Sequence, residues 1–150
     1  MPTQEPTAPQ RDGLPAGTPI DNYRITSTIA KGGFSLIYLA IDEETGDEVV
    51  IKEYLPKKLA RRDLGLNLVA LGNGLDERIH QGRKLFFQEA KTLASLRHPN
   101  IVKVLGLFLA YNTAYLVMQY QRGRNLGSYI HERKGGLSTR FIYQVFLPVL

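Results

Sequence analysis

Residues 29–52, I-A-K-G-G-F-S-L-I-Y-L-A-I-D-E-E-T-G-D-E-V-V-I-K, constrain the fold more than any other stretch. Apolar residues alternate around the Gly32-Gly33 pair, with Ile29 before it and Ile37, Leu39 and Ile41 after it. That is the period of strands, and two strands joined by so short a turn run antiparallel. A second turn at 42–47, with Thr45-Gly46-Asp47 supplying a positive φ, returns residues 48–55 as a third strand. Glycines lack a Cβ, so the backbone at Gly32 and Gly33 can bend sharply and bring its N–H groups close to a polyphosphate. The third strand carries Lys52 back toward that turn.

Alternation along this strand places Val50, Lys52 and Tyr54 on one face, and Val49, Ile51 and Leu55 on the other. From about residue 77 to 97 the period becomes helical, with Leu85, Phe86, Ala90, Leu93 and Leu96 recurring at three- and four-residue spacing. Glu89 lies within that stripe, one turn after Leu85 and one before Leu93. Taken singly, Lys52 reads as a solvated lysine on a sheet face and Glu89 as a stripe-edge carboxylate reaching water. Together they are two charges on apolar faces, each costly alone and each compensating the other, so the pattern predicts an ion pair between strand and helix.

Five of the eight prolines fall within residues 1–19, which contain almost no large apolar side chains and are expected to be a disordered tail. The first strand is predicted at 23–29. Pro56 ends the third strand, residues 57–62 are expected to form one or two helical turns, and 63–74 is an insert without an assigned role. His98-Pro99-Asn100 ends the long helix. Strands at 101–109 and 114–120 flank a turn at Tyr111-Asn112-Thr113. The result is an α+β fold with a five-stranded antiparallel sheet and one long helix. Beyond a polar connection at 121–125 come a short helix (126–133), a turn at Gly135-Gly136, and a helix capped by Ser138.

Composition removes several function classes. There is no cysteine, and His80, His98 and His131 stand apart, which argues against a metal site. No apolar run approaches the ~18 residues that span a bilayer, so the chain is expected to be soluble and cytoplasmic. Residues 78–150 carry 11 basic and 2 acidic side chains, but scattered singly. They do not interleave with aromatics on one predicted surface, which disfavours nucleic acid as a partner.

In this order the pieces resemble the front half of a eukaryotic-type serine/threonine protein kinase domain, from Tyr23 to Leu150. The segment Ala30-Lys31-Gly32-Gly33-Phe34-Ser35-Leu36-Ile37 resembles the Gly-rich loop over the ATP phosphates. Val49-Val50-Ile51-Lys52 resembles V-A-I-K, and Glu89 the glutamate that pairs with its lysine. His98-Pro99-Asn100-Ile101-Val102 and Leu116-Val117-Met118-Gln119-Tyr120 resemble the turn after that helix and the entry to the hinge.

The resemblance implies ATP as ligand. Ile29, Ile37 and Val50 would then line the adenine slot, Met118 would be its gatekeeper, and the backbone of Gln119 and Gln121 would meet the adenine edge. Ala30 and Ser35 replace the first and third glycines, Val50 the usual alanine, and Gln119 a common glutamate. Lys-Glu-Tyr-Leu-Pro at 52–56 suggests a bacterial member. It further implies a tail at 1–19, an N-lobe at 20–120, a hinge at 121–125 and the start of a helical C-lobe at 126–150.

No aspartate follows Asp76, and H-R-D, D-F-G and A-P-E are absent. The expectation is the ATP-binding portion of a serine/threonine protein kinase, truncated before the catalytic loop and inactive alone. Mg²⁺ and a protein substrate would enter only with a complete C-lobe. The alternative is a non-catalytic, pseudokinase-like module that binds a nucleotide or a partner.

The last helix carries Phe141, Ile142, Val145, Phe146, Val149 and Leu150 on one broad face with nothing left in the sequence to cover it. Burying each large side chain is worth about 1.5–3 kcal/mol, so self-association through 141–150 is expected. Light scattering checks this: residues 1–150 should scatter as an oligomer, and a chain ending at Gly123 as a monomer.

Overall fold

The structure, a computed structural model, describes residues 12–149. In chain order its strands are β1 (Pro19–Ile20), β2 (Tyr23–Lys31), β3 (Ser35–Asp42), β4 (Glu48–Tyr54), β5 (Ala60–Arg62), β6 (Leu68–Ala70), β7 (Val104–Ala110) and β8 (Thr113–Gln119). Six of them form one antiparallel sheet in the order β1-β2-β3-β4-β8-β7, while β5 and β6 pair separately. Helix α1 (Asp76–Ser95) packs on β7 and β8, and α2 (Leu126–Glu132), α3 (Thr139–Phe146) and a 3₁₀ turn at Leu147–Val149 follow. No helix among the described residues is long and apolar enough to cross a membrane.

Local chemistry explains the turns. Gly46 has φ +77° between β3 and β4, and the Asp42 carboxylate accepts the Glu44 N–H at 2.9 Å. Tyr111 and Asn112 both adopt left-handed backbone (φ 47° and 59°), the pair of positive φ angles that a two-residue hairpin between twisted strands needs. Asn125 and Ser138 cap α2 and α3 by accepting the N–H groups of Ser128 and Phe141 at 2.7 and 3.2 Å. Pro148 lies in the 3₁₀ turn, where its missing N–H breaks the α-helical ladder. Neither α2 nor α3 buries a residue, and Ile142, Tyr143 and Phe146 are exposed. Leu150 lies outside the described residues.

Two expectations about coil and helix are corrected. Of the proline-rich tail, residues 1–11 lie outside the described residues, but 12–19 are ordered against the sheet: Leu14 and Thr18 are buried, and Pro19 pairs with Arg24. One well-placed leucine and a few backbone hydrogen bonds suffice to anchor so short a segment. Residues 57–62 turn once after Pro56 and then enter β5, with Ala60 and Arg62 buried and Arg61 exposed. That alternation is the strand period. The insert without an assigned role supplies the partner strand β6, in register Ala60↔Ala70 and Arg62↔Leu68.

The sheet has one dry face and one half-open face. Ile25, Leu36, Tyr38, Ala40, Val49, Ile51, Tyr115 and Val117 are all buried in the core, which the β5–β6 hairpin and residues 12–20 help to close. Glu53 lies in this core with no exposure at all. Its carboxylate pairs with the buried Arg62 guanidinium and accepts hydroxyl hydrogen bonds from Tyr38 and, at 2.9 Å, from Tyr115. Arg62 also donates to Leu66 O at 2.6 Å, and the Tyr38 hydroxyl accepts the Leu14 N–H at 3.1 Å. Burial first, and the Glu53 charge second, push the Tyr38 and Tyr115 phenols well above their ordinary value. Burial, the largest single influence, lowers Arg62, but the Glu53 charge, its hydrogen bond and the two neighbouring phenols together outweigh it, and its pKa is raised.

Two measurements follow from this cluster. Glu53→Gln, which leaves Arg62 buried without its counter-charge, should cost about 3–5 kcal/mol in urea unfolding. In the unfolded chain both phenols ionise around 10.0, whereas the fold holds them neutral. Their contribution to stability is therefore complete below about pH 10 and is lost as pH rises above it, so unfolding midpoints should hold up to about pH 10 and drop above it. Tyr115→Phe should flatten that drop.

Candidate functional site

The half-open face carries the residues singled out from the sequence. Ile37 lies opposite Lys52, Leu39 opposite Val50, Val50 opposite Met118, and Lys52 opposite Leu116, so these side chains share a face. Ile37, Val50, Lys52 and Met118 are half-buried. Ile29 is half-exposed at a register shift in β2, where the strand bulges between Thr28 and Ala30. Ala30 and Lys31 finish β2, and Lys31 Nζ stands 3.8 Å from an Asp12 carboxylate oxygen on the surface. Gln119 ends β8 with its N–H engaged by Lys103 O at 2.9 Å, so it meets a ligand only through its carbonyl or side chain. Gln121 is exposed in the connection that follows.

The glycine turn is closed by the Gly32 N–H donating to Ser35 O at 2.8 Å. Its tip is tied to the end of β4, because Gly33 and Phe34 carbonyls accept the N–H groups of Lys57 (3.2 Å) and Leu55 (2.8 Å). Neither Gly32 nor Gly33 has a positive φ, so the bend itself does not demand glycine. A Cβ on Gly33 would meet nothing within 4 Å. What glycine contributes here is bare backbone beside open space, which allows close approach by a ligand.

Beneath the turn lies a cavity of about 470 Å³. Phe34 and Ser35 form its roof, Lys52 and Tyr54 one wall, and the α1 residues Arg78, Gln81, Gly82, Leu85, Phe86 and Glu89 the other. Lys52 and Glu89 thus border the same space, yet the predicted ion pair is not formed: no Lys52–Glu89 contact within 4 Å occurs among the described residues, and Glu89 is exposed. Lys52 Nζ instead faces the Phe86 ring, 5.8 Å from its centroid.

Packing explains this. Tyr54 leans on Phe86 with centroids 5.9 Å apart, and its ring runs so close to Gly82 that a Cβ there would lie 2.8 Å from Tyr54 Cζ. The inner stripe of α1 is therefore centred on Ile79 and Ala90, its buried residues, with Phe86 beside them. At 3.6 residues per turn Glu89 lies about 80° around from Ile79, on the cavity flank. Leu85, which the sequence reading placed inside, is 66% exposed. Gly82 and Phe86 were the residues the pattern did not single out as functional. An isolated glycine inside a helical pattern is the signal that marks a close packing contact.

With no carboxylate on it, the Lys52 ammonium is a cation at the edge of an apolar wall and below exposed backbone. Such a site suits a ligand with an anionic end and a flat apolar body. No three His, Cys, Asp or Glu residues among those described are grouped to hold a metal ion.

A family model described as Protein kinase domain matches residues 23–150. An LRR receptor-like serine/threonine-protein kinase of Arabidopsis thaliana is 33% identical over 122 residues, which cover 81% of this chain and 10% of that protein. The carbon catabolite-derepressing protein kinase of Saccharomyces cerevisiae is 30% identical over 123 residues, 82% of this chain and 16% of that one. Among solved structures, the apo form of PpkA-294 superposes with a TM-score of 0.78 at 31% identity, covering 82% of this chain and 44% of that chain. The PknI kinase domain of Mycobacterium tuberculosis superposes at 0.67 with 17% identity, a likeness of fold, over 91% and 48% of the two chains. The chain thus spans less than a fifth of these curated relatives and less than half of either solved chain.

Gly82→Ala should force Tyr54 and α1 apart and cost about 1–3 kcal/mol in urea unfolding. Loss of the Tyr54–Phe86 contact should appear as a change in tyrosine fluorescence in the same variant.

Proposed function

Because the chain belongs to the protein kinase domain family, we propose that it is the ATP-binding portion of a serine/threonine protein kinase, with the cavity beneath the Gly32-Gly33 turn as its phosphate end. One observation carries this reading: Lys52 stands in that cavity without a carboxylate partner, across the strand pair from Ile37 and beside Val50. The triphosphate would lie between Lys52 and the backbone of residues 32–35, which supplies N–H dipoles and a nearby ammonium for its negative oxygens. The adenine would lie along Ile37, Val50 and Met118, and reach the carbonyl of Gln119 and the backbone of Gln121. Ile29, Ala30, Lys31, Phe34 and Ser35 would enclose it from the loop side.

Glu89 reaches Lys52 only if α1 turns or moves inward, and Phe86 now stands on that path. We take this arrangement as an open form, in which the phosphates themselves supply the negative charge that Lys52 lacks.

Protein kinases use ATP with Mg²⁺, but the residues present do not fit a metal site: the described residues contain no such cluster, and no aspartate follows Asp76. Orientation of the hydroxyl and neutralisation of charge by metal supply most of the rate in this reaction class. The Lys52-Glu53-Tyr54-Leu55-Pro56 run supports a bacterial member of the family, and the chain spans 44% of PpkA-294.

A fluorescent ATP analogue should bind the 150-residue chain, and Lys52→Met should weaken binding roughly tenfold by removing the charge-assisted contact. Unchanged affinity in Lys52→Met would refute the phosphate placement. With γ-labelled ATP, Mg²⁺ and a generic protein substrate the chain should incorporate no label.

A further inference from the structure

Residues 12–20 lie outside the segment matched by the kinase domain model, yet they belong to the core of the fold. Leu14 and Ile20 are each 3% exposed. The Gly17 N–H donates to Ile25 O at 2.7 Å, the Ile25 N–H to Thr18 O at 3.0 Å, and Tyr111 OH to Pro19 O at 3.1 Å. This strap meets the strands of the candidate site at two separate places. Asp12 faces Lys31, the last residue of β2 before the glycine turn. Gly13 then passes so near β3 that a Cβ would lie 3.2 Å from both Leu36 Cδ1 and the Tyr38 hydroxyl. The Leu14 N–H donates to that hydroxyl, which in turn donates to Glu53, the residue that follows Lys52.

We propose that strap 12–20 is a positioning element for the nucleotide site, holding the glycine-turn hairpin and the Lys52 strand in one relative position from the back of the sheet. The proposal rests on the reading of the cavity as a nucleotide site. Its physical basis is strand alternation. Leu36 and Tyr38 point to the strap, and Ser35 and Ile37, one residue away on the same strand, point to the cleft. The same holds for Glu53 and Lys52 on β4, which are paired across to Leu36 and Ile37. A strap fixed by one leucine, a short strand and a few hydrogen bonds can open without unfolding the sheet. When it opens, Tyr38 and Glu53 lose a shared anchor, and both halves of the phosphate clamp loosen together.

Two backbone hydrogen bonds report the state of the clamp, those from Leu55 and Lys57 to the carbonyls of Phe34 and Gly33. Hydrogen exchange on the 150-residue chain should show these two amides exchanging about tenfold faster in Leu14→Ala, with the α1 amide of Ile79 unchanged. Affinity for the fluorescent ATP analogue should fall about threefold in the same variant. Should Leu14→Ala not fold, Tyr38→Phe, which keeps the ring and removes the shared hydroxyl, carries the same test. Equal acceleration at Ile79 would show general destabilisation only and overturn the proposal, as would unchanged exchange at Leu55 and Lys57. Faster exchange with unchanged affinity would overturn it too. If the wild-type chain binds no nucleotide, the proposed function fails, while the exchange pattern still decides whether the strap holds the turn.

Discussion

Much of this structure depends on one buried carboxylate. Glu53 has no contact with water, so its charge must be matched inside the protein, and the groups that match it come from four places in the chain. Arg62 comes from the β5–β6 hairpin, Tyr38 from β3 and Tyr115 from β8, and residues 12–14 close over the Tyr38 hydroxyl. A buried ion pair is weak as a source of stability, because desolvation cancels most of the attraction. What it does is make its parts depend on one another. Removing any of them leaves a charge or a hydroxyl stranded in the core.

The front of the sheet inherits its order from the back. Lys52, Glu53 and Tyr54 are consecutive, and the strand turns them to opposite faces: ammonium forward, carboxylate back, phenol forward. Tyr54 then decides where α1 sits, because its ring needs the space that only Gly82 leaves. The energies are close. A cation over an aromatic ring and a half-exposed ion pair are each worth up to about 1 kcal/mol, so neither settles whether Lys52 takes Phe86 or Glu89. The Tyr54–Phe86 contact is worth about 0.5–1.5 kcal/mol, and together with the tight fit at Gly82 it decides for Phe86. That leaves the lysine charge unspent within the chain, which is the condition an anionic ligand needs.

The elements set by short-range chemistry were legible in the residues. The alternation at 35–42 and 48–54, a positive φ within Thr45-Gly46-Asp47, the helical period over most of 76–95 and the cap at Ser138 all lie where local pattern put them. The face shared by Ile37, Val50, Lys52 and Met118 was legible as well, since strand alternation and antiparallel register leave few other arrangements. The rotation of α1 was not. A stripe of apolar residues wide enough to include Leu85 and Leu93 is compatible with inward faces tens of degrees apart, and only the shape of the opposing wall selects one.

By itself, then, the sequence determined most of the strand and helix elements, their antiparallel pairing around two glycine-containing turns, and membership in the protein kinase domain family. All of these follow from side-chain period, backbone freedom at glycine, and motif spacing, each local to fewer than about thirty residues. Tertiary structure alone decided that Glu53 rather than Glu89 carries the buried ion pair, that 57–70 forms a hairpin over the back of the sheet, and that residues 12–20 complete the core. Those outcomes depend on which distant surfaces exclude water together. Arg62 and Glu53 are 9 residues apart, and Tyr115 and Glu53 are 62 apart. No pattern along the chain records that they converge, because a charge has no period: its partner is set by the enclosed space that remains once every apolar face has found its cover.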